Sequence, residues 1–452
     1  MSDTKRMVAL AEQVANAASA KGAEVAEALA RTSRNLSVKV RLGEPELVEE
    51  AGSSAIGLRV LVGGRSATTH TSDLSERGLD ALVADALELV ELSEADPLSA
   101  PPDAALLETS PPGLDLYDAS LEGFDAAAAK AMALEAEDAA RSLDARITNS
   151  EGASAGRTVG SVGFATSGGF AHGYDSSYLS LVVQPLADDA GGKKRVGHYW
   201  DARRFRGALA DPKSVGEEAA RRTLAKLGAQ KIPTAEMPVV FSPDAAKALL
   251  SLLCGCISGS AIYQRRSYLA EAENEIIASP LVQIVDDPLI LRGPGSRPFD
   301  GEGLPSRKNV VVEEGRLKSF LLDSYSARKL GKESTGSATR GVGGRPSTAP
   351  SNFHLLPGTA SAEDILADTP RGLYVTSMMG FGFNAVTGDF SRGAEGFLIE
   401  NGKLTQPVGE VTISLGFKDL WTRIDAVADD IDARSSTAAP TFRVSAMTVS
   451  GS

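Results

Sequence analysis

The chain has 452 residues, 42% hydrophobic and 23% charged, the make-up of an ordinary soluble globular protein with room for two to four domains. A formal net charge of −13 argues against a grip on nucleic acid, which needs a concentrated basic surface to replace counterions. The best uncharged apolar stretch, around 248–262, is too short and too rich in Ser and Gly for a membrane span.

In chain order, an amphipathic Ala-rich helix is predicted over 7–21, followed by strands at 25–32, 36–42, 57–62 and 66–71, several with apolar residues near period two. A second helix, 74–92, closes this first unit, 1–110. A linker-like stretch carrying Pro97, Pro101, Pro102, Pro111 and Pro112 follows. The second unit, 113–232, repeats the outline: a helix over 122–143, strands near 145–150, 155–166, 169–185 and 194–206, and a helix over 212–227. Two α+β units set against each other are expected.

The third unit, 233–452, opens with a short strand, Val239-Val240-Phe241, that feeds a helix beginning at Ser242. Ser242 suits the N-cap, Pro243 the first helical position, and Asp244 the positive end of the helix dipole. The positions beyond are apolar nearly all round, which predicts a buried helix. Strands are expected at 310–313, 317–322, 372–378, 396–400 and 411–415. Between them, Glu314-Gly315 and Asn401-Gly402 read as hairpin turns. The fold class is therefore α+β: helix and antiparallel-sheet units, then a mainly β, barrel-like C-terminal domain carrying one buried helix.

The titratable residues are sparse where chemistry would need them. The two cysteines, Cys254 and Cys256, lie two apart on the helix, where side chains face apart, so a disulfide between them is poor. The N-terminal residues lack a signal-peptide apolar core, and a cytoplasmic setting is expected. The four histidines, His70, His172, His198 and His354, are scattered, and none is followed by Glu. The pairs Arg203-Arg204, Arg221-Arg222 and Arg265-Arg266 read as solvated element ends. Asp286-Asp287 and Asp300/Glu302 are carboxylate clusters of a kind that can hold a cation, and Pro288 after the first pair makes a turn the simpler reading there.

A set of glycine-rich markers runs through the third unit. Pro298-Phe299-Asp300-Gly301-Glu302-Gly303 is followed by Ser324-Tyr325-Ser326-Ala327-Arg328-Lys329-Leu330-Gly331 and by Pro350-Ser351-Asn352. Then come Gly380-Phe381-Gly382, Thr387-Gly388-Asp389-Phe390-Ser391-Arg392-Gly393-Ala394 and Glu400-Asn401-Gly402-Lys403. Their combined spacing resembles the TldD/PmbA family of bacterial peptidase subunits, in its PmbA (TldE) branch. The resemblance implies a zinc-bearing, TldD-like partner that cleaves unfolded or small peptides. It places the catalytic branch's H-E-x-x-x-H on Ser251-Leu252-Leu253-Cys254-Gly255-Cys256, so both histidines and the glutamate are replaced, at Ser251, Cys256 and Leu252. The catalytic branch's third ligand, a cysteine near the C-terminus, has no counterpart around Arg434-Ser435-Ser436-Thr437.

What this implies is a degenerate metallopeptidase domain with no metal or cofactor of its own, zinc belonging to the partner. Gly380, Gly382, Gly388, Asp389 and Ser391 are candidates for a groove where a peptide adds as a strand; tight turns of a β domain are the equal alternative. A metal-independent hydrolase using Ser251, Cys254 or Cys256, and a stand-alone homodimeric peptide-binding protein, are the competing functions. The resemblance also carries an association with modulation of DNA gyrase, which the acidic charge makes an indirect effect through peptide turnover.

Overall fold

Residues 3–451 are described by a computed structural model. The N-terminal half comprises α1 (Asp3–Ala20), β1 (Val25–Arg41), β2 (Glu44–Val62), β3 (Arg65–Thr71), α2 (Glu76–Glu91), α3 (Ala126–Ser142), β4 (Ile147–Thr166), β5 (Ala171–Asp188), β6 (Lys194–Val196), β7 (Tyr199–Arg203) and α4 (Pro212–Leu224). The strands form one antiparallel sheet in the order β3-β2-β1-β4-β5, with β6 and β7 both on β5. The two helix–strand–helix outlines thus sit against each other edge to edge, sharing one sheet where β1 pairs with β4.

The strands expected at 25–32 and 36–42 are one continuous strand. The polar run Ser33-Arg34-Asn35 suggests a break, yet β1 passes straight through it because β2 and β4 satisfy its backbone on both sides. Its alternate residues fill two successive cores on one face. Ala26, Ala28 and Ala30 pack with Met7, Ala11, Val14 and Ala18 of α1. Leu36, Val38 and Val40 pack with Ala129, Ala133, Ala136 and Ala140 of α3. The opposite face carries Arg31, Asn35 and Ser37, with Gly156, Gly160 and Thr158 beside them on β4, and stays largely open. Period two thus makes one sheet that is apolar on the helix side and polar on the other.

The C-terminal half is built on β8 (Ala235–Phe241), α5 (Pro243–Cys256), β9 (Arg371–Met379), β10 (Asp389–Glu400), β11 (Lys403–Gly416) and β12 (Phe442–Ser450). These five strands close a barrel: β8 runs parallel to β9, then β9–β10, β10–β11, β11–β12 and β12–β8 are antiparallel. Closure removes the unpaired edges that an open sheet would leave. Val239, Phe241, Leu373, Val375, Ile413, Phe442 and Val444 belong to its core. The Asn401-Gly402 turn joins β10 to β11 with φ of 52° and 73°, the double positive φ that a two-residue hairpin requires. A smaller sheet beside the barrel contains strands 284–286, 309–313 and 353–355. No helix among the described residues is long and apolar enough to cross a membrane.

Candidate functional site

The helix α5 forms as the sequence dictates. Ser242 sits in extended geometry and its hydroxyl accepts from the Ala245 amide, with Pro243 at the first turn. Ala245, Ala246, Leu249, Leu250, Leu253, Cys254 and Cys256 bury one face in the barrel core. The other face remains open: Ser251 and Gly255 are exposed, and Lys247, Ala248 and Leu252 are half-buried. The first turns of α5 meet the N-terminal half, where the Arg222 guanidinium reaches Asp244 at 3.1 Å and the Lys247 ammonium lies 5.4 Å from the Trp200 ring centroid.

The three positions that the resemblance aligns with zinc ligands and base point apart. Ser251 is exposed and spends its hydroxyl on the Lys247 carbonyl, at 2.9 Å. Leu252 is half-buried and apolar. Cys256 is fully buried, and burial pushes its thiol up to about 11 against an opposing hydrogen bond from Ser267. Cys254 is pushed up to about 12, by burial first and the Asp286 charge second. A hydroxyl turned back on its helix, an alkyl group and a buried neutral thiol do not fit a zinc ion. Nor do they make a nucleophile, which needs a base or positive field beside it. Among the described residues no group of three or more His, Cys, Asp or Glu side chains is placed to hold a metal. The histidines lie apart: His354 is buried on strand 353–355, while His172 packs edge-on to Phe170 at 5.0 Å. His198 is exposed, and partial desolvation of its ring holds it below its ordinary value.

The candidate groove residues are brought together more closely. Gly382, Asp389 and Ser391 line an open depression of about 660 Å³ at the end of β10 and β11. The short strand Phe383–Asn384 pairs with the start of β10, and the Ser391 amide donates to the Gly382 carbonyl at 2.8 Å. A side chain at Gly382 would collide with the Ser391 carbonyl oxygen at 1.7 Å, so the loop needs glycine there. Gly380 and Gly388 lie outside the lining of the depression. Gly380 offers its carbonyl to the Arg392 guanidinium at 2.9 Å; Gly388 lies over the Tyr268 ring. Beside the groove Phe381 is 99% exposed, with Met379 and Val386 also exposed.

Several markers prove to be fasteners. Asp286 accepts from the amide and hydroxyl of Ser351, and the Asn352 amide group bonds the Asp287 carbonyl at 2.7 Å and the Ser296 hydroxyl at 2.8 Å. Asp300 accepts three backbone amides, from Glu302, Leu304 and Ala338, and Glu302 accepts the Ser324 amide. At the first pair the Leu289 amide donates to the Asp287 carboxylate at 2.9 Å, in keeping with a turn before and through Pro288. Arg204, by contrast, is not a solvated strand end. It is buried, and its guanidinium bonds the Gly293 and Pro294 carbonyls at 2.9 Å, tying the N-terminal sheet to the C-terminal half. Arg266 adjoins exposed Arg265, in keeping with a surface turn.

Sequence reasoning did not find a buried charge cluster. Glu27 of β1 receives Arg59 at 3.0 Å and Arg340 at 2.6 Å on the same carboxylate oxygen. Burial alone would push Glu27 up, but the Arg340 and Arg59 charges prevail and hold it below its ordinary value. No local signal marks this cluster, because Arg340 is 313 residues from Glu27.

A helix-backed antiparallel sheet joined to a closed five-stranded barrel, with a capped helix leading out of the first barrel strand, defines a metallopeptidase-homologue scaffold. The family described as PmbA/TldA metallopeptidase matches in three pieces: its domain 1 at residues 26–90, its central domain at 119–227 and its C-terminal domain at 234–451. Metalloprotease PmbA of Escherichia coli O157:H7 is 37% identical over 414 residues, 92% of this chain and 89% of that protein. A PmbA homologue of Haemophilus influenzae is 35% identical over 450 residues, 99% of this chain and 96% of its own. Among solved structures, a candidate modulator of DNA gyrase from Bacteroides thetaiotaomicron superposes with a TM-score of 0.92 at 27% identity, over 98% of both chains. TldE from Thermococcus kodakarensis shares the fold, with a TM-score of 0.86 at 22% identity over 97% of this chain and 99% of its own. The chain belongs to the PmbA/TldD family.

Proposed function

We propose that this chain is the non-catalytic subunit of a two-component peptidase of the TldD/TldE type. It supplies part of the surface that holds an unfolded peptide, and a zinc-bearing, TldD-like subunit cuts it. The observation that carries this reading is the donor set on α5: the scaffold is intact, while Ser251, Leu252 and Cys256 offer neither metal ligands nor a base. The fully exposed Phe381 beside the groove supports a protein partner, since a large apolar side chain held in water favours burial in an interface. The open polar face of the N-terminal sheet and the groove at Gly382, Asp389 and Ser391 are the surfaces we assign to peptide. We infer a cytoplasmic setting from the two unpaired cysteines.

Purification alone and together with a TldD-like homologue tests this. Zinc content and cleavage of unfolded peptides are expected only in the mixture, with a mass that reports both subunits. A tightly held transition metal in the isolated chain, or cleavage by it that survives chelators, would overturn the proposal.

A further inference from the structure

The polar face of the N-terminal sheet ends in a second cavity. Loops 297–301 and 338–342 of the C-terminal half close over β1, β4 and β5 there, leaving a pocket of about 240 Å³. Three arginines line it: Arg31, Arg297 and Arg340. Its apolar wall is aromatic, made by Phe164, Tyr174 and Phe299, with Tyr174 and Phe299 edge-on at 5.6 Å. The Arg340 side chain is 4% exposed and its guanidinium stacks 4.7 Å from the Phe164 ring centroid.

The charges do not balance. Glu27 answers both Arg59 and Arg340, leaving one positive charge over in that cluster. Arg297 adds another. Arg31 adds a third, exposed and with no ion-pair partner among the described residues. Against these stand Asp300, whose oxygens are committed to three backbone amides, and Asp286, which also feels the Arg297 charge but is committed to Ser351; burial favours the neutral form of both. The Nε–H groups of Arg297 and Arg340 are buried with no hydrogen-bond partner, as is Glu27 Oε1 on the carboxylate that Arg340 meets, so this cluster is packed with its polar groups only partly satisfied. Three guanidinium groups lining one small cavity, with surplus positive charge beside an aromatic wall, describe a receptor for a carboxylate carrying an apolar group.

We propose that this pocket takes the C-terminal carboxylate of a peptide whose last side chain is aromatic or aliphatic. The proposal rests on the peptide-binding reading above and adds to it which end of the peptide is held. A terminal residue presents its carboxylate and its side chain from one Cα, so a single small cavity can meet both. An Asp or Glu side chain would leave the aromatic wall unused.

The test is calorimetric titration of the full chain with three probes: an acetylated alanine-rich peptide ending in Phe with a free carboxylate, its C-terminal amide, and an amidated peptide with Glu in place of that Phe. The free acid is expected to bind at least about tenfold tighter than either amide. Arg297→Gln, Arg31→Gln and Arg340→Lys, the last keeping a charge beside Glu27, are each expected to weaken the acid and leave the amide unchanged, with melting curves confirming folded protein. Equal affinity of acid and amide would overturn the carboxylate site and leave the peptide-binding reading standing. Tight binding of the Glu amide would reassign the pocket to acidic side chains and overturn the terminal assignment. Failure of all three probes to bind would remove the peptide-binding reading itself, and this inference with it.

Discussion

The loop that roofs the arginine pocket is held by one glycine. Gly57 pairs with Leu29 on one side and His70 on the other, in the middle of the sheet. A methyl group there would lie 1.6 Å from the Val342 carbonyl oxygen and 2.6 Å from its carbon. Real contacts of this kind begin near 3.0 Å, so Gly57→Ala must push the loop back by about 1.4 Å, and the obstacle is backbone rather than a movable side-chain end. Overpacking of this kind costs about 1–3 kcal/mol, partly offset by the roughly 0.4–1 kcal/mol that alanine gains by restricting the unfolded chain. With an unfolding entropy of about 2.1 cal/mol/K per residue, a chain of 452 residues shifts by about 1 °C per kcal/mol, so the expected result in scanning calorimetry is a midpoint lowered by about 1–3 °C. Gly52→Ala is the control: it lies on the same strand, with nothing within 4 Å of the added methyl, and should melt at or slightly above the parent temperature. Affinity for the free-acid peptide should fall in Gly57→Ala and hold in Gly52→Ala. If Gly57→Ala matches the parent in both melting and affinity, the loop is not clamped to β2 and the argument for a preformed roof collapses.

Other expectations follow from the same geometry. Leu253→Ala removes a fully buried side chain from α5 and should cost about 2–5 kcal/mol in urea denaturation, whereas Ser251→Ala, exposed and bonded only to its own helix, should change stability by less than about 0.5 kcal/mol. Both cysteines should resist thiol reagents at neutral pH and react on unfolding, because burial keeps them neutral to about 12 and 11; rapid labelling of the native protein would contradict this. Glu302 is held above its ordinary 4.5, by burial first and Asp300 second. A carboxyl raised in the folded state stabilises the fold fully below its unfolded value and loses that contribution as pH rises through the folded value. The advantage of Glu302→Gln over the parent in denaturant midpoint should therefore grow from about pH 5 to about pH 8, and a constant difference would count against it. Glu27 runs the opposite way. Its lowered value gives stability that is present above 4.5 and lost as pH falls through the folded value, so Glu27→Gln should flatten the acid limb of the stability curve.

Much of the fold is written locally. The caps at Ser242 and Pro243, the double-positive turn at Asn401-Gly402 and the alternation along β8 and β9 are set by neighbours in sequence, and the structure forms them where the chain places them. The identities of Ser251, Leu252 and Cys256 are equally plain in the sequence, although it is the family resemblance that sets them against a zinc motif. Local pattern went astray where partners decide. Ser33-Arg34-Asn35 reads as a break, yet β2 and β4 carry the strand through it, and Arg204 reads as a solvated end, yet carbonyls of Gly293 and Pro294 bury it. The groove splits the same way: Gly382, Asp389 and Ser391 meet, while Gly380 and Gly388 turn out to serve neighbouring loops. The arginine pocket was out of reach altogether. Periodicity and turn chemistry act over a few residues, whereas the meeting of Glu27 with Arg340 depends on how a barrel loop lands on a distant sheet, and only the packed chain brings those charges together.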